Sequence, residues 1–593
     1  MDYLLNVEKS VSGKRWVARD FDERVAITLS QRLGVSELTG RVMSARNVNL
    51  DDAQTFLNPT LRDLLPDPNH FKGMEEAVAR LAQAIQDEEL IAIFGDYDVD
   101  GATSSALFRR FLNSVGAKST IYIPDRMSEG YGPNSEAMEL LHKQGVKVVV
   151  TVDCGTTSFE PLEKAAQLGL DVVVVDHHEA EVKLPECVAL INPKRMDEDG
   201  QYAHLAAVGM TFIFAVGVNR ALREAEWFND DRKAPNLLNL LDLVALGTVC
   251  DVVPLKGLNR AFVMQGLKVM ARRGNPGLAA LADTSGVNEA PEAYHAGYIL
   301  GPRVNAGGRV GESYLGANLL STDNPGLAAE IAAQLDGYNA DRKELEQNVL
   351  DEAIAQVDGQ DHSSIVIAVG TDWHPGVIGI VASRLKDRYS LPACVISLAD
   401  GQGHGSGRSV TGVDLGNTII AARQSGLLVK GGGHAMAAGF TVAEDKLEEF
   451  KTFMQDRIGQ QIVEQNVQPT YSCDGVISPS GVTPALMEEL EQVGPFGAGN
   501  AQPRFVLGDV NVQRADVVGR DHVRCYLTDQ FGVRLKAIAF RALDTDLGQA
   551  LLHHNGQKLH VAGRLKLDTW GGGTSVQMLI DDAAFTKSVS AAT

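Results

Sequence analysis

Three apolar runs in this chain end in residues that bind cations. Val172-Val173-Val174-Val175 stops at Asp176-His177-His178. Leu90-Ile91-Ala92-Ile93-Phe94 runs into Gly95-Asp96-Tyr97-Asp98-Val99-Asp100-Gly101, and Val148-Val149-Val150-Thr151-Val152 runs into Asp153-Cys154-Gly155. Carboxylates and imidazoles gathered at strand ends repel and desolvate one another unless cations offset them. Any single aspartate reads most simply as a loop or capping residue. The set, arriving at successive strand ends, does not. Asp96, Asp98, Asp100, Asp153, His177 and Asp251, the last in Gly247-Thr248-Val249-Cys250-Asp251, are the candidate metal ligands. Oxygen-rich ligands with one or two imidazoles suit Mn²⁺ or Mg²⁺ better than Zn²⁺ or Cu²⁺. A carboxylate such as Asp153 could bridge two ions about 3.5–4 Å apart, the spacing for in-line phosphoryl displacement. His178 is a candidate for orienting a ligand or assisting proton transfer. The leading expectation is a two-metal phosphoesterase.

The elements that must position these groups follow from the pattern. From about residue 74 to 255, strands and helices alternate, which predicts a doubly wound, mostly parallel α/β sheet with its ligands at the carboxyl ends of the strands. Residues 1–73 read as a mixed lead-in segment and 74–325 as the first lobe. Residues 326–358 form a long charged helix that connects lobes. A smaller α/β lobe, glycine-rich at its loops, covers 359–465. Short strands over 466–585 predict a β-barrel, an OB-fold. The tail from Lys587 to Thr593 reads as disordered.

Composition narrows the classes. The 593 residues are 44% hydrophobic, enough for several cores. No apolar stretch has transmembrane length, and the first residues lack a signal-peptide layout, so the expectation is a cytoplasmic protein with no membrane partner. Six scattered cysteines form no C-x-x-C pair, which argues for reduced thiols rather than disulfides or structural zinc. The net charge of −22 excludes nucleic-acid binding through the overall field, so such binding needs a local basic groove.

At these motifs the chain resembles the DHH phosphoesterase superfamily and, within it, the RecJ family of single-strand-specific 5′→3′ exonucleases. Further matching pieces are Gly301-Pro302-Arg303-Val304-Asn305-Ala306-Gly307-Gly308-Arg309, Trp373-His374-Pro375-Gly376, Gly431-Gly432-Gly433-His434 and Gly494-Pro495-Phe496-Gly497-Ala498-Gly499-Asn500. The resemblance implies a DHH catalytic lobe, a connecting helix, a DHH-associated lobe and an OB-fold. It implies a Mn²⁺- or Mg²⁺-dependent release of 5′-mononucleotides from single-stranded DNA in recombination and repair. Phe94 stands where related two-metal pyrophosphatases carry a histidine, as in RecJ-like members. Asp96 is therefore either a direct ligand or a group acting from behind the ligands. Suggested partners are a single-stranded-DNA-binding protein and a RecQ-type helicase, and the chain reads as a monomer.

The same resemblance directs attention to groups outside the metals. Gly431 to His434 reads as a flexible loop whose N–H groups, with Gly432 and Gly433 central, could cradle phosphate while His434 donates to the scissile phosphate. Arg408 and Ser406, with Arg126 and Arg309, form a candidate pocket for the terminal 5′-phosphate. Tyr131 could stack on a base. Arg303 and Asn305 could line the cleft, and His374 could face substrate or cap a helix. Three other readings stand beside this one: a DHH phosphodiesterase of short oligonucleotides or cyclic dinucleotides, a non-catalytic replication scaffold, and an inorganic pyrophosphatase.

Overall fold

The computed structural model describes residues 3–126, 128–360, 363–568 and 575–586; the tail read as disordered lies outside the described residues. A short strand, β1 (Arg15–Ala18), precedes the first large sheet. That sheet comprises β2 (Ile91–Gly95), β3 (Ser119–Tyr122), β4 (Val148–Val152), β5 (Asp171–Val175) and β6 (Ala189–Ile191). All its strands are parallel, in the order β3-β2-β4-β5-β6. Every residue of β2 and β4 is buried, because helices cover both faces. The strand order reverses direction between β2 and β4, so the crevice at the switch point opens where Gly95 and Val152 end their strands.

Helices fill residues 207–321, and one 33-residue helix, Pro325–Val357, runs to the second lobe. Asn324 caps it, accepting from the N–H groups of Gly326 and Leu327. The second lobe is a mixed sheet of β7 (Val366–Thr371), β8 (Ala393–Ala399), β9 (Gln402–Arg408), β10 (Lys430–His434) and β11 (Ala437–Ala443), ordered β10-β11-β9-β8-β7. Its glycines were expected in loops; the six in 402–408 and 430–434 instead lie within β9 and β10. The reason is steric. A Cβ on Gly405 would lie 2.2 Å from the Phe440 ring, and one on Gly407 would lie 2.7 Å from Leu415 Cδ2. At these two positions the strand carries glycine because neighbouring side chains press onto the sheet.

The C-terminal module holds β12 (Thr470–Cys473), β13 (Gly475–Ile477), β14 (Phe505–Val518), β15 (His522–Thr528), β16 (Arg534–Ala539), β17 (Leu559–Asp568) and β18 (Ser575–Phe585). The pairing of β14 with β17 closes the sheet β14-β15-β16-β18-β17 into a barrel. Residues up to Leu57 of the N-terminal segment, read from sequence only as a lead-in, pack here, while Leu61, Leu64, Leu65 and Phe71 pack on the first-lobe core. β1 pairs in parallel with β12, Trp16 Nε1 donates to Asp582 Oδ2 at 2.9 Å, and Leu29, Val42 and Met43 join the barrel core. Arg260, buried in the first lobe, donates to the carbonyls of Phe56, Gln492 and Val493 and so ties lobe, N-terminal segment and barrel module together. All six cysteines are free.

Candidate metal centre and nucleic-acid interface

The turn after β2 is built for close approach. A Cβ on Gly101 would sit 2.4 Å from the Asp96 carbonyl oxygen, so only glycine lets the helix Val99–Ser114 start beneath the acidic turn. Asp98 caps that helix, accepting through Oδ1 from the N–H groups of Asp100 (2.8 Å) and Gly101 (3.1 Å). Asp100 is fully buried and accepts from Ala207 N (2.7 Å, Oδ2) and Val208 N (3.0 Å, Oδ1). These are the first amides of the helix Ala207–Glu224, whose own cap, Ala206, has no side-chain acceptor. Asp100 thus holds a helix N-terminus as well as facing the metal candidates.

After β4, Asp153 takes φ of +62°, a left-handed conformation that turns its carboxylate into the crevice. Its Oδ1 lies 3.2 Å from His177 Nε2. The His177 Nδ1–H donates to the Leu205 carbonyl at 3.1 Å, which fixes the tautomer and leaves the Nε2 lone pair free. His177 Nε2 is also 3.9 Å from Asp100 Oδ2, and its Nδ1 is 3.6 Å from Asp251 Oδ2. Three overlapping groups result, each with ligand atoms within 4.8 Å of one another: Asp96, Asp98 and Asp153; Asp153, His177 and His178; Asp100, His177 and Asp251. Asp153 belongs to two of them.

Burial, and then the neighbouring carboxylates, push the Asp96, Asp100 and Asp251 carboxyls up to about 7, and push Asp153 well above the usual carboxylate range. Burial likewise depresses His177. Asp96 Oδ1 and Asp251 Oδ2 are buried with no hydrogen-bond partner. Orphaned carboxylate oxygens facing a shared crevice, beside a neutral imidazole with a free lone pair, fit a pair of hard divalent cations.

Asp176 was not among the sequence candidates, although it lies in the motif that drew attention to the site. Its carboxylate accepts from Thr156 N (3.0 Å), His177 N (2.7 Å) and His178 N (3.2 Å), and His178 Nδ1 lies 2.7 Å from Oδ1. Burial opposes its charge, but the bonds from His178 and Thr156 hold the carboxyl well below the usual range. Burial would also depress His178, yet the bond to Asp176 raises it. Tyr131, proposed as a base-stacking residue, donates its hydroxyl to the Asp153 carbonyl at 3.0 Å and lies edge-on to His178. Its position makes it an anchor of the Asp153 turn.

The basic candidates meet at the seam between the lobes. Arg126, Arg342 and Arg408 crowd Arg309, and burial followed by this repulsion lowers Arg309 to about 10. Among the described residues, Arg309 and Arg408 have no carboxylate within ion-pair distance. Arg408 donates to Ser406 Oγ (3.2 Å), and Arg309 donates to Gly376 O (2.9 Å) in the second lobe. His374 caps the helix Pro375–Tyr389, accepting from Gly376 N at 3.0 Å, with Arg126 close by. Asn305 lies one turn before Arg309 on the helix Gly301–Val310. Arg303 does not join the cluster: its guanidinium donates to Asp336 Oδ1 (2.8 Å) and Ile299 O (2.7 Å), because helix Gly301–Val310 turns it towards the connecting helix. Arg342, on that connecting helix, was missed because an arginine in a charged helix carries no sequence signal.

The segment 430–434, expected as a flexible loop, is the edge strand β10. Gly433 has φ of +151°, and a Cβ there would lie 2.4 Å from Ala437 O. Register places Gly432, Gly439 and Ser406 in one row and His434, Ala437 and Arg408 in the next. His434 is therefore exposed on the same sheet face as Arg408, about 10 Å away across two strand spacings. A Cβ on Gly432 would meet open space. The barrel contributes a second basic feature. Arg514, Tyr526, Lys536, Gln577 and Lys566 form one outward row across five strands, and Arg534 lies 3.7 Å over the Tyr526 ring.

The sequence matches three family models: the DHH family N-terminal domain over residues 90–248, the DHHA1 domain over 362–460 and the RecJ OB domain over 473–582. It is 36% identical over 544 residues to the single-stranded-DNA-specific exonuclease RecJ of Escherichia coli K12, covering 89% of this chain and 92% of that protein. The chain belongs to the RecJ family. RecJ of Bacillus subtilis is 31% identical over 97% of this chain and 71% of its own length. The structure superposes on Thermus thermophilus RecJ in complex with Mn²⁺ with a TM-score of 0.79 at 26% identity, covering 96% of this chain and 78% of that one. The RecJ fold thus accounts for both lobes and the barrel.

Proposed function

We infer that this chain is a single-stranded-DNA-specific exonuclease that works from the 5′ end, releases 5′-mononucleotides, uses Mn²⁺ or Mg²⁺, and acts in recombination and repair. One observation carries the reading: a buried acid–imidazole cluster at the switch point of a parallel sheet lies beside arginines that lack carboxylates of their own. An anionic chain laid across that seam meets both.

Asp96, Asp98, Asp153, His177 and Asp251, with Asp100 behind them, are the residues that would hold two ions. Bound there, the ions would neutralise the phosphate and activate the attacking water. The chain's own groups do the rest. The Asp153 carboxylate, placed between two ligand groups, suits a bridge. Asp176 holds the His178 imidazole at the mouth of the crevice and favours its charged form, which can donate to a phosphate or leaving oxygen. Arg126, Arg309, Arg408 and Ser406 receive the terminal 5′-phosphate, and so set polarity. His434 and the open Gly432 floor face the strand from the second lobe. Asn305, one turn before Arg309, flanks this path, while Arg303 stays paired with Asp336. The crevice between lobes admits one strand and sterically rejects a duplex, and the barrel row holds the strand further along.

The proposed division is 1–73, 74–325, 326–358, 359–465 and 466–585, with residues up to Leu57 of the first segment packed on the barrel core and Leu61, Leu64, Leu65 and Phe71 on that of the first lobe. A cytoplasmic monomer meeting a single-stranded-DNA-binding protein and a RecQ-type helicase completes the proposal. Among the described residues no helix is long and apolar enough to cross a membrane. The deciding experiment is digestion of end-labelled single-stranded and duplex DNA with Mn²⁺. Loss of the 5′-end label first, with duplex untouched and 5′-hydroxyl ends processed more slowly, is expected; shortening from the 3′ end rejects the pocket.

A further inference from the structure

Asp251 is held differently from Asp98, Asp100 and Asp176. Asp98, Asp100 and Asp176 are each gripped by backbone N–H groups. No hydrogen bond reaches the buried Asp251 Oδ2, so its aim depends on its backbone. The next residue is strained. Val252 has φ of +60°, a region that a β-branched side chain avoids, and it is 70% exposed, so burial of its own does not hold it there. Strain of this kind persists only where the surroundings impose it.

Part of the surroundings belongs to the first lobe, where Val253 packs on the core and Asn259 Nδ2 donates to the Pro254 carbonyl at 3.1 Å, and part to another module. Leu255 N–H donates to Ala498 O at 2.8 Å, and the Leu255 side chain is buried. The loop approaches so closely that a Cβ on Gly497 would lie 2.7 Å from Leu255 Cδ1, and one on Gly499 would lie 2.9 Å from Pro254 Cβ. On the other side, Asp251 ends the helix Leu241–Cys250 in the first lobe. The three residues between Asp251 and Leu255 thus run between two anchors.

We propose that the loop 497–499 of the C-terminal module positions Asp251 for metal binding, by clamping Leu255 and holding Val252 in its left-handed conformation. The inference rests on the reading of Asp251 as a metal ligand. It makes the barrel module a structural part of the metal centre in addition to a surface for the strand, and it makes Leu255 a positioning residue.

The test is Mn²⁺ binding to the full chain, measured by calorimetry without DNA. Leu255→Ala loosens the clamp, so Val252 relaxes and Mn²⁺ affinity falls by about 10-fold, the usual scale for losing a group that orients a ligand. Val252→Gly alone leaves affinity unchanged, because glycine accepts positive φ without strain. The double variant Val252→Gly/Leu255→Ala recovers most of the loss, since nothing then drives residue 252 away. A merely structural role for Leu255 predicts no such recovery. Unchanged affinity in Leu255→Ala, or a loss that Val252→Gly does not restore, overturns the proposal. Gly497→Ala, which displaces only the end of the Leu255 side chain, makes the same test if Leu255→Ala does not fold, with and without Val252→Gly. Asp251→Asn is the control: if it binds Mn²⁺ normally, the ligand reading itself has failed, whatever the clamp does.

Discussion

Asp153 and His177 face each other across the switch point of the first sheet, with Oδ1 3.2 Å from Nε2. The pair is made from opposite requirements. Burial raises the carboxyl, and burial depresses the imidazole, while the Leu205 carbonyl takes the imidazole's proton-bearing nitrogen. With the carboxylate ionised and the imidazole neutral, two acceptors face each other, an arrangement that a cation between or beside them would satisfy.

Asp153→Ala and Asp98→Ala should therefore abolish Mn²⁺-dependent hydrolysis. Asp153→Ala should leave the far-UV circular dichroism spectrum intact, since its carboxylate holds no helix terminus. Asp98→Ala should in addition cost about 1 kcal/mol of stability, because Asp98 caps the helix Val99–Ser114. Calorimetric metal titration beside the activity assay checks both. Normal turnover by either purified variant would contradict the site.

Asp176 acts through His178. Removing its carboxylate in Asp176→Asn leaves Nδ1 without its charged acceptor and weakens the grip on three backbone amides. Activity should fall by roughly 10–100-fold. The kcat should drop more than KM rises, because the DNA-binding arginines are untouched. A change confined to KM would assign Asp176 a binding role instead.

The barrel row should behave as a backbone reader. Arg514→Ala and Lys566→Ala each remove one cation from the outward face. Single-strand affinity, read by fluorescence anisotropy, should weaken to the same degree for any base sequence. The slope of log affinity against log salt should become shallower by about one charge for each change. Unaltered slopes would show that the strand does not cross this face.

Asp242 offers a test of stability away from the metals. It is 2% exposed at the start of the helix Leu241–Cys250, and its Oδ1 accepts from Leu243 N–H at 2.8 Å. Burial pushes its carboxyl up to about 6. A carboxyl raised on folding favours the native state below its unfolded pKa and loses that contribution as pH rises through its folded value. Asp242→Asn keeps an acceptor for Leu243 and removes the charge. The variant should match the wild type near pH 4 and be more stable at pH 8, by up to about 3 kcal/mol for a shift of this size. Denaturant melts at both pH values decide it, and greater stability of the wild type at pH 8 would show that the buried charge is compensated.

Much of the centre was legible in the chain because local chemistry wrote it there. Continuous valine runs announce buried parallel strands, and a buried parallel strand must present whatever follows it at the sheet's carboxyl edge. Asp96, Asp98, Asp153 and His177 were singled out this way, whereas Asp251 follows a helix and was singled out by the motif Gly247-Thr248-Val249-Cys250-Asp251. The roles that escaped depend on partners far along the chain. Asp100 caps a helix 107 residues later, and whether it does so is a matter of where that helix lands. The glycines of β9 and β10 looked like loop residues because glycine alone does not distinguish a turn from a strand pressed by Phe440 and Leu415. Tyr131 and Arg303 looked free to meet substrate until the fold supplied Asp153 O and Asp336 as partners.

The sequence by itself determined the fold class, the connecting helix and the identity of the acid–imidazole set, since these rest on periodicity and residue type within short windows. Tertiary structure alone decided that the N-terminal residues up to Leu57 pack with the barrel, with Arg15 in register with Thr470, and that the arginines of two lobes and a linker converge on one seam. Contacts between residues hundreds of positions apart leave no periodic trace in the chain, because each side sees only its own half of the interface.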